Sequence, residues 1–342
     1  MVYVTLGIFL FCIAAGWVGL LVWLMARQLL TPPRMNDGKA LYILKRLSPE
    51  DIGLNFSDVV FDISDAHRPG DKLRITAWWI PARVPSDKTV IVIHGYSDAK
   101  VGGIAWAPTW HALGWHVLAI DLRAHGESSG QYCTAGFYER DDLDQIIDQV
   151  RISKPGATTH VALFGVSVGA AVALACAARR TDITAVVVES IYADYRIAVR
   201  AHGRRLAMPV EFAYGWAYAL AERISGARFG DVRPTSLIPH IHAPLLLISS
   251  GADTFVSRDE HDQLTAAMHG RINTKRTNTK RTKNERSLTD QSRTETSLTE
   301  QPLPQHSQHV IIDACQHTMG ILKDPDAYRA IIGNFVKQNV VE

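Results

Sequence analysis

Four stretches of this chain are apolar at every position: VIVI (90–93), VALF (161–164), AVVV (185–188) and LLLI (245–248). A strand with one face in water alternates apolar and polar residues. Unbroken apolar runs of this length fit strands covered on both faces. Helical patterns separate them, at 141–152, 168–178, 259–268 and 325–337. Buried strands interleaved with helices predict an α/β chain with a mostly parallel sheet and helices on both faces. The strand candidates number eight: 59–63, 73–80, 89–94, 116–120, 160–164, 185–189, 245–249 and 310–313. The first two follow each other without a helix and are expected to form an antiparallel edge.

Gly165-Val166-Ser167-Val168-Gly169 sits between the VALF strand and the helix VGAAVALACAA. A serine at such a junction occupies a sharp, strained turn, and the flanking glycines permit strand and helix to approach closely. The turn lifts the hydroxyl above the sheet edge. The helix N-terminus offers free N–H groups and a positive dipole end to a developing oxyanion. The pattern by itself is a weak motif, and its strand-before, helix-after context gives it weight.

Together with VIVIHGYSD (90–98), DLRAHGESSG (121–130) and late acid and histidine segments, this junction resembles the α/β-hydrolase-fold serine hydrolases, in particular their single-span membrane-anchored members. The resemblance covers roughly 59–335. It implies the order serine, acid, histidine along the chain. Asp253 follows the strand PLLLISS, just past the carboxyl end, where catalytic groups gather in open α/β sheets. His317 lies in the loop after the last strand, in VIIDACQHTMG. The resemblance makes Ser167 the nucleophile, His317 the base, Asp253 the acid, and the backbone N–H groups of Tyr96 and Val168 the oxyanion hole. His94 looks catalytic by type but is assigned to holding its loop. Asp121, Arg123 and His125 are read as a hydrogen-bonded loop beside the site. Ser250-Gly251 replaces the family's usual His-Gly ahead of the acid segment, and Ala124 replaces a glycine in the second motif.

The activity so implied is ester or thioester cleavage through an acyl-enzyme, with no cofactor and no metal. Amide or peptide cleavage by the same triad is the alternative. A non-catalytic, membrane-tethered binding protein on the same fold is another. A stretch of over fifty residues before the acid strand is too long for a simple connection and matches a lid at 191–243, helical at 196–208 and 209–224. Its aromatic residues either wall an acyl pocket or pack the lid onto the core.

Residues 2–26 carry no charged side chain, and as a helix would be about 37 Å long, enough to cross a bilayer's hydrocarbon core. Such a run is too long for a signal peptide and lacks a basic leading segment, so an anchor is expected. Arg27, Arg34, Lys39, Lys45 and Arg46 follow it, which places the catalytic domain in the cytoplasm. Residues 27–56 are then a juxtamembrane segment and 57–342 the hydrolase domain. Within that domain, 271–308 is expected to be a disordered polar insertion, with eight basic and four acidic residues and repeats such as NTKRTNTKRTKN. The whole chain has a formal charge of +2, far too low for a dedicated nucleic-acid binder. The partners implied are a small or lipid-like acyl substrate and a membrane, with no nucleic acid.

Overall fold

The computed structural model describes residues 2–205, 211–280 and 307–340. Its strands are β1 (Ser57–Ser64), β2 (Lys72–Ile80), β3 (Lys88–Ile93), β4 (His116–Ile120), β5 (His160–Val166), β6 (Ala185–Glu189), β7 (Leu245–Ser250) and β8 (Ser307–Ile312). They form one eight-stranded sheet in the order β1-β2-β4-β3-β5-β6-β7-β8. β2 is antiparallel to both β1 and β4, and every other pair is parallel. The antiparallel edge and the mostly parallel sheet are as expected.

The helices are α1 (Val2–Leu30), α2 (Asp37–Leu44), α3 (Lys100–Gly103), α4 (Ala107–Ala112), α5 (Glu139–Ser153), α6 (Val168–Ala177), α7 (Tyr195–Arg205), α8 (Glu211–Ser225), α9 (Pro234–Leu237), α10 (Arg258–Lys280), α11 (Gly320–Lys323) and α12 (Pro325–Asn339). The unbroken apolar runs divide between two cores. Ile91, Ile93, Leu163, Val186, Val188, Leu245 and Leu247 join one with α5, α6 and α8. Val90, Val92, Ala162, Phe164, Val187, Leu246 and Ile248 join the other, with Trp110 of α4 and Phe335 of α12. Successive residues point to opposite faces, and both faces are covered, so no position tolerates a polar side chain.

Three differences from the expected boundaries bear on the packing. α1 continues four residues past 26, through Arg27 and Gln28, because a charge does not end a helix that has packing partners. Val22, Met25, Ala26 and Leu30 are buried in the first core, while the rest of α1 is almost wholly exposed. α10 continues to Lys280, into the expected polar insertion. Arg271, at the start of that insertion, is buried and donates to Ser307 Oγ at 2.6 Å and to the carbonyls of Ile241 and Ala243 at 2.8 and 2.6 Å. Ser307 and Gln308, at its far end, belong to β8. Residues 281–306 of the insertion, and 206–210 of the lid, lie outside the described residues.

Candidate active site

The junction between β5 and α6 has the strain that its sequence requires. Ser167 has φ 53° and ψ −116°, a conformation costly for a residue with a side chain. A Cβ at Gly165 would run into the Gly169 carbonyl, and one at Gly169 into the carbonyls of Ile93 and His94. Gly169→Ala is therefore expected to destabilise the fold by about 3 kcal/mol, at the upper end of overpacking costs. Gly215, on the exposed face of α8, has nothing within 4 Å of its missing Cβ, and Gly215→Ala should be neutral or stabilising. Urea midpoints of the two variants provide the check. Equal midpoints would contradict the steric account.

The structure brings Ser167, Asp253 and His317 together from three separate segments. His317 Nε2 lies 3.1 Å from Ser167 Oγ, and His317 Nδ1 lies 2.7 Å from Asp253 Oδ2. The Asp253 side chain is wholly buried. Its other oxygen accepts from the N–H groups of Phe255 and Val256 at 2.8 and 3.1 Å, which fixes the carboxylate plane. The Phe255 ring packs on the imidazole, with centroids 4.9 Å apart. Tyr96 and Val168 line the same cavity as Ser167 and His317. Val168 is the first residue of α6, where backbone N–H groups have no partner in a preceding turn.

The cavity holds about 300 Å³. Its wall is largely apolar and aromatic, with Tyr192, Tyr195, Ala198, Val199, Phe255 and Val256 contributing. Asp98 also reaches it, and burial raises that carboxyl above the ordinary aspartate range.

His94 is fully buried. Its Nδ1 bonds the Gly95 carbonyl at 2.7 Å and its Nε2 accepts from Leu122 N–H at 3.0 Å. Both ring nitrogens are thus committed to holding loops. Asp121 accepts from Thr76 Oγ1 (2.8 Å), Lys100 Nζ (2.9 Å) and Glu127 N (3.0 Å). Burial opposes its ionisation, but the Lys100 ammonium and the backbone N–H groups of Lys100 and Glu127 outweigh that and hold it below the usual range. Arg123 clamps Asp142 with two bonds of 2.6 Å and reaches Asp65 at 3.1 Å. Burial pushes His125 down to about 3, so it stays neutral. These residues brace the loop and do not touch the triad.

Two contributions escape the sequence reading. Glu189, the buried end of β6, accepts from Gly320 N at 3.0 Å, Tyr328 OH at 2.6 Å and Trp106 Nε1 at 3.1 Å. Its neighbour Ser190 accepts from Thr318 N at 3.0 Å, and the Glu189 carbonyl accepts from Ser167 N at 2.9 Å. One strand end thus positions both Ser167 and the His317 loop. Its only signal in the sequence is a carboxylate ending an otherwise apolar run. The second contribution comes from the end of α1. Tyr96 OH donates to the Gln28 carbonyl, Ser97 Oγ donates to the Pro33 carbonyl at 2.9 Å, and Cys133 N donates to the Leu30 carbonyl at 2.7 Å. The Arg34 guanidinium caps the carbonyls of Gly126 and Ser128 at 2.8 and 2.7 Å.

Comparison with known proteins places this geometry. A family model described as serine aminopeptidase, S33, matches residues 84–222, which include the Tyr96 loop and the serine junction. The Bacillus subtilis protein YqkD is 27% identical over 251 residues, 67% of this chain and 79% of that protein. Among solved structures, the Pyrococcus furiosus esterase Pf2001 superposes with a TM-score of 0.67 at 22% identity, covering 92% of this chain and 99% of its own. The Pyrococcus horikoshii acylaminoacyl peptidase superposes at 0.54 and 13% identity, covering 89% of this chain but only 44% of its own. The chain therefore has the α/β-hydrolase fold, with a long apolar helix built onto its N-terminal side.

Proposed function

We propose that the protein is a membrane-anchored serine hydrolase that cleaves carboxylic esters or thioesters. The observation that carries this reading is the continuous chain of contacts from Asp253 through His317 to Ser167, at 2.7 and 3.1 Å, opening onto an apolar cavity. His317 Nε2 takes the Ser167 proton as Oγ bonds to the acyl carbon. The N–H groups of Tyr96 and Val168 hold the oxyanion. Collapse of the adduct breaks the bond to the leaving group, which receives the proton from His317. Water, deprotonated by His317, then attacks the acyl-serine, and Ser167 regains its proton. Asp253 fixes the imidazole tautomer through its bond to His317 Nδ1. Amide cleavage runs through the same steps with an amine leaving group.

Anchoring is supported by the helix itself. α1 has 29 residues, its most apolar stretch of 18 has a mean hydropathy of 2.4, and only 11% of that stretch is buried. A cleaved signal sequence would have to leave before Val22, because Val22, Met25, Ala26 and Leu30 are part of the domain core. The five basic residues after residue 26 support a cytoplasmic domain.

A fluorophosphonate probe tests the assignment. Wild-type protein is expected to be labelled covalently, and Ser167→Ala not at all. A folded wild type that resists the probe would remove the hydrolase reading.

A further inference from the structure

The packing of α1 bears on where the substrate comes from. Its outward-facing apolar stretch runs from Val2 to about Leu21, some twenty residues, or about 30 Å of helix, the thickness of a hydrocarbon core. Gln28, whose carbonyl holds the Tyr96 side chain, lies seven residues further on, about 10 Å along the axis. The oxyanion loop is thereby fixed close to the membrane surface. Trp23, with the Arg27 guanidinium 5.4 Å above its ring, sits at that level, as interfacial aromatic and basic residues do.

The lid continues this arrangement. α8 packs along α1 in the most extensive helix–helix contact among the described residues. The outer side of α8 presents Phe212 and Trp216, each 59% exposed and in edge-to-face contact. α7 turns Tyr195, Ala198, Val199 and His202 toward the nucleophile cavity. Val199 and His202 also line a second, narrow cavity of about 30 Å³, whose other walls are Met25, Gln28, Leu29, Gly203 and Tyr214. That space holds about one water molecule and lies in the seam between the last turns of α1 and the lid. The Tyr214 hydroxyl is buried with no hydrogen-bond partner among the described residues.

We propose that the substrate is a long-chain acyl ester resident in the bilayer, and that its chain reaches Ser167 through the seam between the end of α1 and the α7–α8 lid. This rests on the hydrolase reading above. An aliphatic chain leaving the hydrocarbon along α1 meets Leu29 and Met25, then Val199, without crossing bulk water. Phe212 and Trp216 seat the lid in the interface, so that parting the seam exposes its apolar lining to lipid.

The test uses the full chain reconstituted in phosphatidylcholine vesicles. The readout is the ratio of hydrolysis rates for 4-methylumbelliferyl palmitate carried in the vesicles and 4-methylumbelliferyl acetate in solution. Leu29→Trp fills the seam and is expected to lower the palmitate-to-acetate ratio at least tenfold. The surface double variant Phe212→Ser with Trp216→Ser leaves the core untouched and should lower it at least threefold, which covers the case in which the first variant fails to fold. Ratios within twofold of wild type in the folded variants would overturn the seam while leaving the hydrolase reading intact. A wild type that neither takes the fluorophosphonate nor cleaves the acetate would overturn both.

Discussion

Replacing His317 by alanine is expected to lower turnover of a short acyl ester by about 10⁴- to 10⁶-fold, the loss typical of a base whose partners act only with it. Without the imidazole the Ser167 hydroxyl keeps its proton at neutral pH and attacks poorly. Residual catalysis from the oxyanion donors and the cavity remains. Asp253→Asn preserves the shape of the site, yet an amide cannot stabilise an imidazolium and favours the wrong tautomer, so a loss of about 10⁴-fold is expected. The two losses should not multiply in the double variant, because Asp253 acts only through His317. Steady-state kcat for wild type, both single variants and the double variant measures this. Near-normal activity in His317→Ala would move the base elsewhere, and fully multiplicative losses would separate Asp253 from the histidine.

The second large effect is on stability. Deleting residues 1–30, the usual route to a soluble form of an anchored protein, removes more than a tether. Val22, Met25 and Leu30 are less than a tenth exposed. Burying three such side chains contributes on the order of 6 kcal/mol, comparable with the whole stability of an ordinary domain. The deletion also uncovers the α8 face that meets α1 and strips the partner from Tyr96 OH. The truncated protein is expected to aggregate, or to unfold at a much lower urea midpoint, and to lose labelling by fluorophosphonate. A shorter deletion ending at residue 18 should retain the fold in detergent. If both deletions behave alike and remain as stable as the full chain, the last turns of α1 contribute nothing to the core.

The parts of the site that could be read from the chain are those dictated by local sterics or by order. The serine junction is legible because only glycine fits where the Gly169 Cβ would meet the Ile93 and His94 carbonyls. Asp253 is legible because it follows the buried strand β7, and His317 because it falls in the loop after the last strand, both loops leaving the carboxyl edge of one mostly parallel sheet. The reach of α1 into the domain is not legible. Its buried residues follow helical spacing, but inside a uniformly apolar run that stripe has no contrast. α2 begins at an Asn36 cap whose side chain accepts from Lys39 N, a cue too common to count alone. Helix α10 outruns its apolar pattern because the residues after Met268 hold a single large apolar side chain, Ile272, and a hydrophobic period carries no signal there. Glu189 and the pairing of Gln28 with Tyr96 depend on contacts between distant segments, which no local pattern encodes.

The hydrogen bonds between the end of α1 and the Tyr96 loop have a mechanical corollary. A spanning helix normally meets a thinner or thicker bilayer by tilting, at a cost of fractions of a kcal/mol per Å of mismatch. Here Gln28 and Leu30 of α1 bond to Tyr96 and Cys133, and Arg34 just beyond it bonds to Ser128, so on the proposed anchored reading the helix cannot tilt without rotating the domain or deforming the lipid around it. With the proposed anchoring and oxyanion roles, bilayer thickness becomes a load carried by the Tyr96 backbone segment itself, and lipid composition acts on the reaction through stiffness as well as through substrate supply.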